Sequence, residues 1–522
     1  MTEQSLTGND LLASGWEPGP ALSTALDVAQ RLLADNVDRA DILRTLNAVQ
    51  ERPEAYLNDP LLHTLAERLI KLDALRGDLS VEAPDETIEQ PIRSEPIPLH
   101  NWGVDLEADT LRQMNNATHL PIAQAAALMP DGHPGYGLPI GGVLATENSV
   151  LPYGVGMDIA CRLRLSIFPE KPGLLQGQRD RFRNALRFNT RFGIGKRDGE
   201  WGPDEQRDHA ILDDDRWRAT ALLRHQLDKA VRQLGTSGTS NHFAEWVALT
   251  VLEDVPSLGL QAGDSRLAFV THSGSRGIGA SIAQEYTRVA KSLHPNLPKQ
   301  YQELAWLTLD SEAGQEYWLS MQLAGDFASA CHRTIHDTVI DAVGLKPLAT
   351  VENHHNFAWE EEHDGRRMIV HRKGATPAAA GVFGVIPGTM ADKGYIVIGL
   401  GNAKSLNSSS HGAGRPRSRT ASKQMITRSQ RDKYLRERGV ELLNPDAGVD
   451  EAPQAYKDPE TVMNQQLDLV RPIATFMPLM VMMASDKAIK RGKGNNKGKQ
   501  DRSKGYKGDR GNKRKGKRGR RR

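Results

Sequence analysis

Between Trp102 and Ala484, short runs rich in Val, Ile and Leu alternate with glycine-rich loops and helical stretches, and this alternation constrains the chain most. The runs 162–168, 266–271, 367–371 and 395–398 read as strands, because branched side chains suit a pleated, half-buried surface. Helices are predicted over 213–234, 282–293 and 315–343. Asp, Cys and His residues stand at strand ends or in small-residue loops scattered across about 280 residues. Loops that far apart converge on one site only within a single large domain, here of mixed α/β (α+β) class.

A chain of 522 residues accommodates one large enzyme domain with additions. No apolar run reaches the roughly 18–20 residues needed to span a bilayer, so no membrane partner is expected. The opening MTEQSLTGND has no basic start followed by a hydrophobic stretch, so no secretory signal is expected. Cys161 and Cys331 are the only cysteines, too few for a disulfide framework. A reducing, cytoplasmic location follows, where a cysteine can serve as a thiolate ligand.

Three further segments flank or join this body, taken as 98–486. Residues 1–75 read as helical, with apolar residues at helical spacing through 21–33 and 61–72. Their opening TGNDLLASGWEPGP resembles a short motif in the helical tail of tRNA nucleotidyltransferases and poly(A) polymerases, a hint of RNA contact beside the plainer reading of a packing module. Residues 76–97 are polar and Pro-rich, as a linker would be. Residues 487–522 carry 18 Lys or Arg against 2 Asp, a charge of +16, which leaves −14 on residues 1–486 of a chain whose net charge is +2. With almost no apolar content this tail is expected to be disordered and to attract phosphate backbones without sequence preference.

The chemistry-bearing residues gain meaning together. Asp158 and Cys161 lie three apart in PYGVGMDIACRL. His242 follows a Gly/Ser/Thr loop, His272 opens HSGSRG, His355 sits in NHHNF and His411 in NSSSHGAGR. Any one of them alone is more often a packed or surface residue. A carboxylate, a thiolate and neutral imidazoles make a mixed ligand set suited to Zn²⁺, Mn²⁺, Fe²⁺ or Co²⁺, and a thiolate can bridge two ions. Arg276, Arg372, Lys373 and Arg415 bring cations near the same loops, as phosphate binding requires. His411, set among hydroxyls and glycines beside Arg415, suits an imidazole that attacks phosphorus, the alternatives being another ligand or a turn residue.

The segments MPDGHPGYGLPIGG (129–142), GVGMDIACRLRL (154–165), GTSGTSNHF (235–243), HSGSRGIG (272–279), HHNFAWEEEHDG (354–365), HRKGAT (371–376), VIPGTM (385–390) and SSSHGAGR (408–415) closely resemble the RtcB-type RNA ligases, in family order. EAPQAYKDPETV at 451–462 fits as well. The resemblance implies joining of an RNA 2′,3′-cyclic phosphate or 3′-phosphate end to a 5′-hydroxyl end with GTP and Mn²⁺, in tRNA splicing or RNA repair. Carried over by motif, Asp158, Cys161, His242, His272 and His355 are metal ligands, with Cys161 shared by two ions, and His411 carries GMP covalently. Asn241 is expected at the nucleotide phosphates, Phe243 and Glu245 near the guanine. Asn356 and Thr389 join the nucleotide contacts; Asp131, Arg276, Lys373 and Arg415 act as phosphate-binding or supporting residues.

The chain departs from the family pattern in three places. IPGTMADKGY puts Gly394 where a small hydroxyl residue is expected near the guanine; PLMVMMASDK runs into the basic tail with no clear terminal Lys-Gly; and the N-terminal helical region belongs to part of the family only. Two alternatives are a metal-dependent RNA 2′,3′-cyclic phosphodiesterase or phosphatase on the same scaffold, and a non-catalytic RNA-binding protein.

Overall fold

The computed structural model describes residues 20–35, 37–77, 90–193 and 199–485, together with Leu6, Asp10, Leu11, Ser14 and Trp16. The tail 487–522 and most of the expected linker lie outside the described residues.

Helices Pro20–Ala34, Arg39–Glu51 and His63–Gly77 share a core of their own, built from Leu11, Trp16, Ala25, Ile42, Leu46 and Leu65. Asp38 starts the second of them by accepting a hydrogen bond from Ala40 N at 2.8 Å. Trp16, from the motif that hinted at RNA, is buried in this bundle and donates its indole N–H to Asn47 Oδ1 at 3.0 Å.

Two larger sheets form the body. The smaller runs in the order Leu99–Asn101, Ala123–His133, Ile140–Thr146, Arg366–Lys373, Phe357–His363. The larger runs Phe383–Ile386, Gly394–Gly399, Val470–Met483, Phe243–Val251, Ser265–Ser273, Arg162–Ile167, Ala349–His354, with Glu441–Leu442 also paired to Val470–Met483. Pairing is antiparallel except at Leu99–Asn101 and Glu441–Leu442. The larger sheet buries both faces, and its side chains alternate accordingly. Leu163, Leu165, Val247 and Val270 fill one face; Trp246, Leu267 and Phe269 meet Ile335 and Val339 of helix Glu312–Ala342 on the other.

The expected strands all form, each within a residue or two of its expected limits. The helix expected from 213 begins only at Ala221, because Thr220 accepts from Leu223 N and caps it there. The chain before it is spent in two 3-10 turns, Ala210–Asp213 and Asp215–Arg218.

Candidate metal centre and catalytic cleft

The larger sheet explains why residues far apart in sequence meet. Four of its strands, Phe243–Val251, Ser265–Ser273, Arg162–Ile167 and Ala349–His354, are successive neighbours, and the register pairs Phe243 with His272, Arg162 with Ser273, and Arg162 with His354. His242, His272, Cys161 and His355 therefore stand in one row at one end of the sheet, with neighbouring strands about 4.8 Å apart. Asp158 joins from the turn before Cys161, whose N–H donates to Asp158 O at 3.2 Å. Gly274 makes room for it: a Cβ there would lie 2.0 Å from Asp158 Oδ1.

The donor atoms fall into two overlapping triads, Asp158–Cys161–His242 and Cys161–His272–His355, each with its atoms within 4.8 Å of one another. Cys161 belongs to both. Its Sγ is 3.5 Å from His242 Nε2 and 3.1 Å from His272 Nε2; Asp158 Oδ2 is 2.8 Å from His242 Nε2, and the Nε2 atoms of His272 and His355 are 3.4 Å apart.

Second contacts orient the rings. His242 Nδ1 donates to Ser237 O at 2.6 Å, the carbonyl that also accepts from Ser273 Oγ at 2.8 Å, and His272 Nδ1 donates to Asn241 O at 3.1 Å. A neutral imidazole with its proton on Nδ1 presents a lone pair on Nε2. Lone pairs of two histidines, a carboxylate and a sulfur thus face one another in a buried space, an arrangement that a cation resolves. The donor set fits a metal ion on these grounds.

The electrostatics agree. A positive charge in this space stabilises the carboxylate: burial pushes Asp158 up, but a proton on His242, standing where a metal cation would, more than reverses this and holds it at about 2. Burial, reinforced by His242, lowers His272 to about 3 and keeps it neutral. Burial and then the Asp158 charge push the Cys161 thiol well above its usual range. Forming the thiolate ligand therefore expels a proton.

His411 follows the short strand Ser408–Ser410, which pairs with Ala375–Pro377. Its ring centroid is 4.7 Å from that of His355, so the histidine expected to differ from the ligands stands beside them. Its Nδ1 is 2.7 Å from Asp131 Oδ2, and Asp131 is fully buried. Burial would raise Asp131, but His411 reverses this and holds the carboxyl below its usual range. Gly414, at φ +71°, permits the close approach; a Cβ there would lie 2.3 Å from Asp131 O.

A cleft of about 590 Å³ opens over His272 and His411. Of the expected nucleotide contacts, Asn241, Phe243, Glu245, Thr389, Lys373 and Arg415 line it. Burial pushes Glu245 up to about 8 and Lys373 down to about 7. The remaining expected contacts stand elsewhere. Asn356 ties two loops together, donating to Asp158 O at 3.2 Å and accepting from Gly374 N at 2.8 Å. Arg276 donates to Thr236 Oγ1 at 3.0 Å, away from the cleft lining. Arg372 is fully buried and held by Glu361, Ser408 and Leu406.

Two cleft cations already have protein partners. Arg415 donates to Glu451 Oε2 at 2.6 Å and to the Tyr456 hydroxyl at 2.7 Å, and Lys373 Nζ donates to the carbonyls of Tyr136 and Tyr153. Gly394 does not line the cleft: a Cβ there would lie 2.3 Å from the Phe476 ring, which fills the space a larger residue would need. Cleft residues not singled out from sequence include His133, Tyr136, Glu451 and Tyr456. His133 and Tyr136 belong to MPDGHPGYG, and Glu451 and Tyr456 to EAPQAYKDPETV, so all four were within reach as motif members.

The tRNA-splicing ligase RtcB family matches residues 113–484. An RNA-splicing ligase RtcB of Escherichia coli strain K12 is 34% identical over 409 residues, covering 74% of this chain and 97% of that protein. A tRNA-splicing ligase RtcB of Nanoarchaeum equitans is 32% identical over 445 residues, covering 72% and 92%. One from Thermococcus kodakarensis is 30% identical over 417 residues, covering 68% and 86%. With a sheet end that gathers the family's motif residues into one buried cluster, and with these relatives, the chain belongs to the RtcB family of tRNA-splicing ligases.

Proposed function

We propose that this protein is a GTP- and Mn²⁺-dependent RNA ligase that joins a 2′,3′-cyclic phosphate or 3′-phosphate end to a 5′-hydroxyl end, in tRNA splicing or RNA repair. The observation that carries this reading is the placement of His411: held by buried Asp131 on Nδ1, beside two donor triads that share Cys161.

Asp158, Cys161, His242, His272 and His355 would hold two ions. When bound, these offset negative charge on attacking and leaving phosphate oxygens. Asp131 keeps the proton of His411 on Nδ1, which leaves the Nε2 lone pair as nucleophile. Nε2 attacks the α-phosphorus of GTP; the N–P bond forms, pyrophosphate leaves, and the positive charge on the ring is balanced by Asp131. A 2′,3′-cyclic phosphate end is first opened by water, which breaks the bond from phosphorus to the 2′-oxygen and leaves a 3′-phosphate; a 3′-phosphate oxygen then attacks the His411-bound GMP, the N–P bond breaks and His411 is freed. The 5′-hydroxyl attacks that phosphorus, a 3′–5′ phosphodiester forms and GMP leaves. Capping makes the 3′-phosphate reactive, because a bare phosphate oxygen is a poor leaving group.

Asn241 at the phosphates and Phe243, Glu245 and Thr389 around the base side are assigned to GTP, since all four line the cleft that contains His411. No described helix is long and apolar enough to cross a membrane, and both cysteines are free thiols, which suits a reducing cytoplasm. Residues 1–75 are assigned to substrate or partner selection, and 98–486 to catalysis.

Incubation with α-labelled GTP and Mn²⁺ should give an acid-labile label that disappears in His411→Ala. RNA end hydrolysis without such a label would favour the phosphodiesterase reading instead.

A further inference from the structure

Tyr136 and Arg417 line the same cleft as His411, yet neither is used by the chemistry above. Tyr136 is 73% exposed, and the nearby Tyr153 ring lies tilted with its centroid 6.5 Å away, so most of the Tyr136 ring is left open to the cleft. The loop beneath it is held firmly. Gln113 spans Gly135, donating to its carbonyl at 2.7 Å and accepting from its N–H at 3.0 Å. On the other side Lys373 Nζ donates to the Tyr136 carbonyl. Gly137, at φ +69°, lets the turn close against Glu303, whose carbonyl oxygen would lie 2.4 Å from a Cβ at that position. An exposed aromatic ring is therefore presented on a fixed backbone, at low ordering cost to whatever it meets.

Arg417 supplies the complementary group. Arg415 and Arg419 beside it are both held by Glu451, whereas Arg417 is exposed and has no partner among the described residues. An available aromatic face and an unspent guanidinium along one cleft are what a single nucleic-acid strand requires, the face for a base and the cation for the backbone. A base within a duplex is already stacked on its neighbours and cannot offer its face to such a ring without being splayed out.

We propose that Tyr136 and Arg417 form a single-strand binding site that selects RNA ends whose last nucleotides are unpaired, Tyr136 stacking on a base and Arg417 contacting a backbone phosphate. This deepens the ligase reading and rests on it for the identity of the ligand as RNA.

The test is direct binding of a short, fluorescently labelled oligoribonucleotide with a 3′-phosphate to the full chain, free or annealed as a blunt duplex, across a salt series. The single strand should bind more tightly than the duplex. Tyr136→Ala should weaken single-strand binding roughly tenfold, with Tyr136→Phe keeping most of the affinity, since the ring and not the hydroxyl does the stacking. Arg417→Gln should weaken it and lower the salt slope by about one. Phe188→Ala removes an equally exposed ring, 74% exposed but outside the cleft, and should change nothing. Equal affinity for the blunt duplex at the high-salt end of the series, where the non-specific attraction of the basic tail is suppressed, or wild-type affinity in both Tyr136→Ala and Arg417→Gln, would overturn the proposal. Because binding is read without turnover, absence of a His411 label in the wild type would defeat the ligase reading while leaving this result standing.

Discussion

The floor of the cleft and its walls use polar groups in opposite ways. On the floor, His242 and His272 give their Nδ1 protons to backbone carbonyls and turn Nε2 toward Asp158 and Cys161, so the atoms able to bind a cation are left facing inward. On the walls, Arg415 and Lys373 have donated to Glu451, Tyr456, Tyr136 and Tyr153 before any phosphate arrives. A ligand atom is defined by what it leaves unbonded, and the floor leaves its ligands free while the walls do not. The walls thus gain rigidity, and phosphate charge is left mainly to the floor and to Arg417.

The contrast breaks most visibly at His411. His411→Ala should remove the covalent label and RNA joining altogether while the metal cluster survives, because the ring lies beside the two donor triads and belongs to neither; metal loss in that variant would merge the two roles. Asp131→Asn tests the brace behind it. It should slow labelling by about 10²–10⁴-fold with bound metal unchanged, since a neutral amide no longer balances the imidazolium. Labelling at the wild-type rate would show that Asp131 only fills space.

Wall residues should give smaller effects, and Glu245 a mixed one. Burial raises its folded pKa from the ordinary 4.5 to about 8, so it stays mostly protonated at neutral pH. Its contribution to stability is complete below pH 4.5 and is lost as pH rises toward 8, the window where the unfolded chain ionises and the folded one does not. Glu245→Gln should remove this slope and gain about 1–3 kcal/mol at pH 7 in denaturant titrations, while weakening GTP binding. A pH-independent difference between the two proteins would place the carboxyl in a more polar setting. Gly394→Ser should cost about 1–3 kcal/mol without improving nucleotide affinity, because its Cβ meets the Phe476 ring. Tighter GTP binding in that variant would mean that residue 394 reaches the base after all.

The difference between floor and walls also marks what could be read in the chain. Asp158, Cys161, His242, His272 and His355 stood out because ligand chemistry restricts residue type, and the loops around them are small and sharply turned. The strands were legible for a similar local reason, their branched apolar runs. Pairing was not legible. Nothing near Arg415 announces that Glu451 will occupy its guanidinium, or that Asn356 will brace Asp158 and Gly374. The late start of the helix at Ala221 turned on the Thr220 cap, a signal present locally but outweighed by apolar spacing. Trp16 shows the converse: a motif that hinted at RNA contact has its indole inside a bundle.

The sharing of Cys161 between the two triads is the most exposed point. Mn²⁺ titration followed by electron paramagnetic resonance, on wild type and Cys161→Ala, reads it directly. Two exchange-coupled ions per wild-type chain are expected, with both coupling and metal content falling in the variant. Wild-type metal content in Cys161→Ala, or a single uncoupled ion in the native protein, would contradict it.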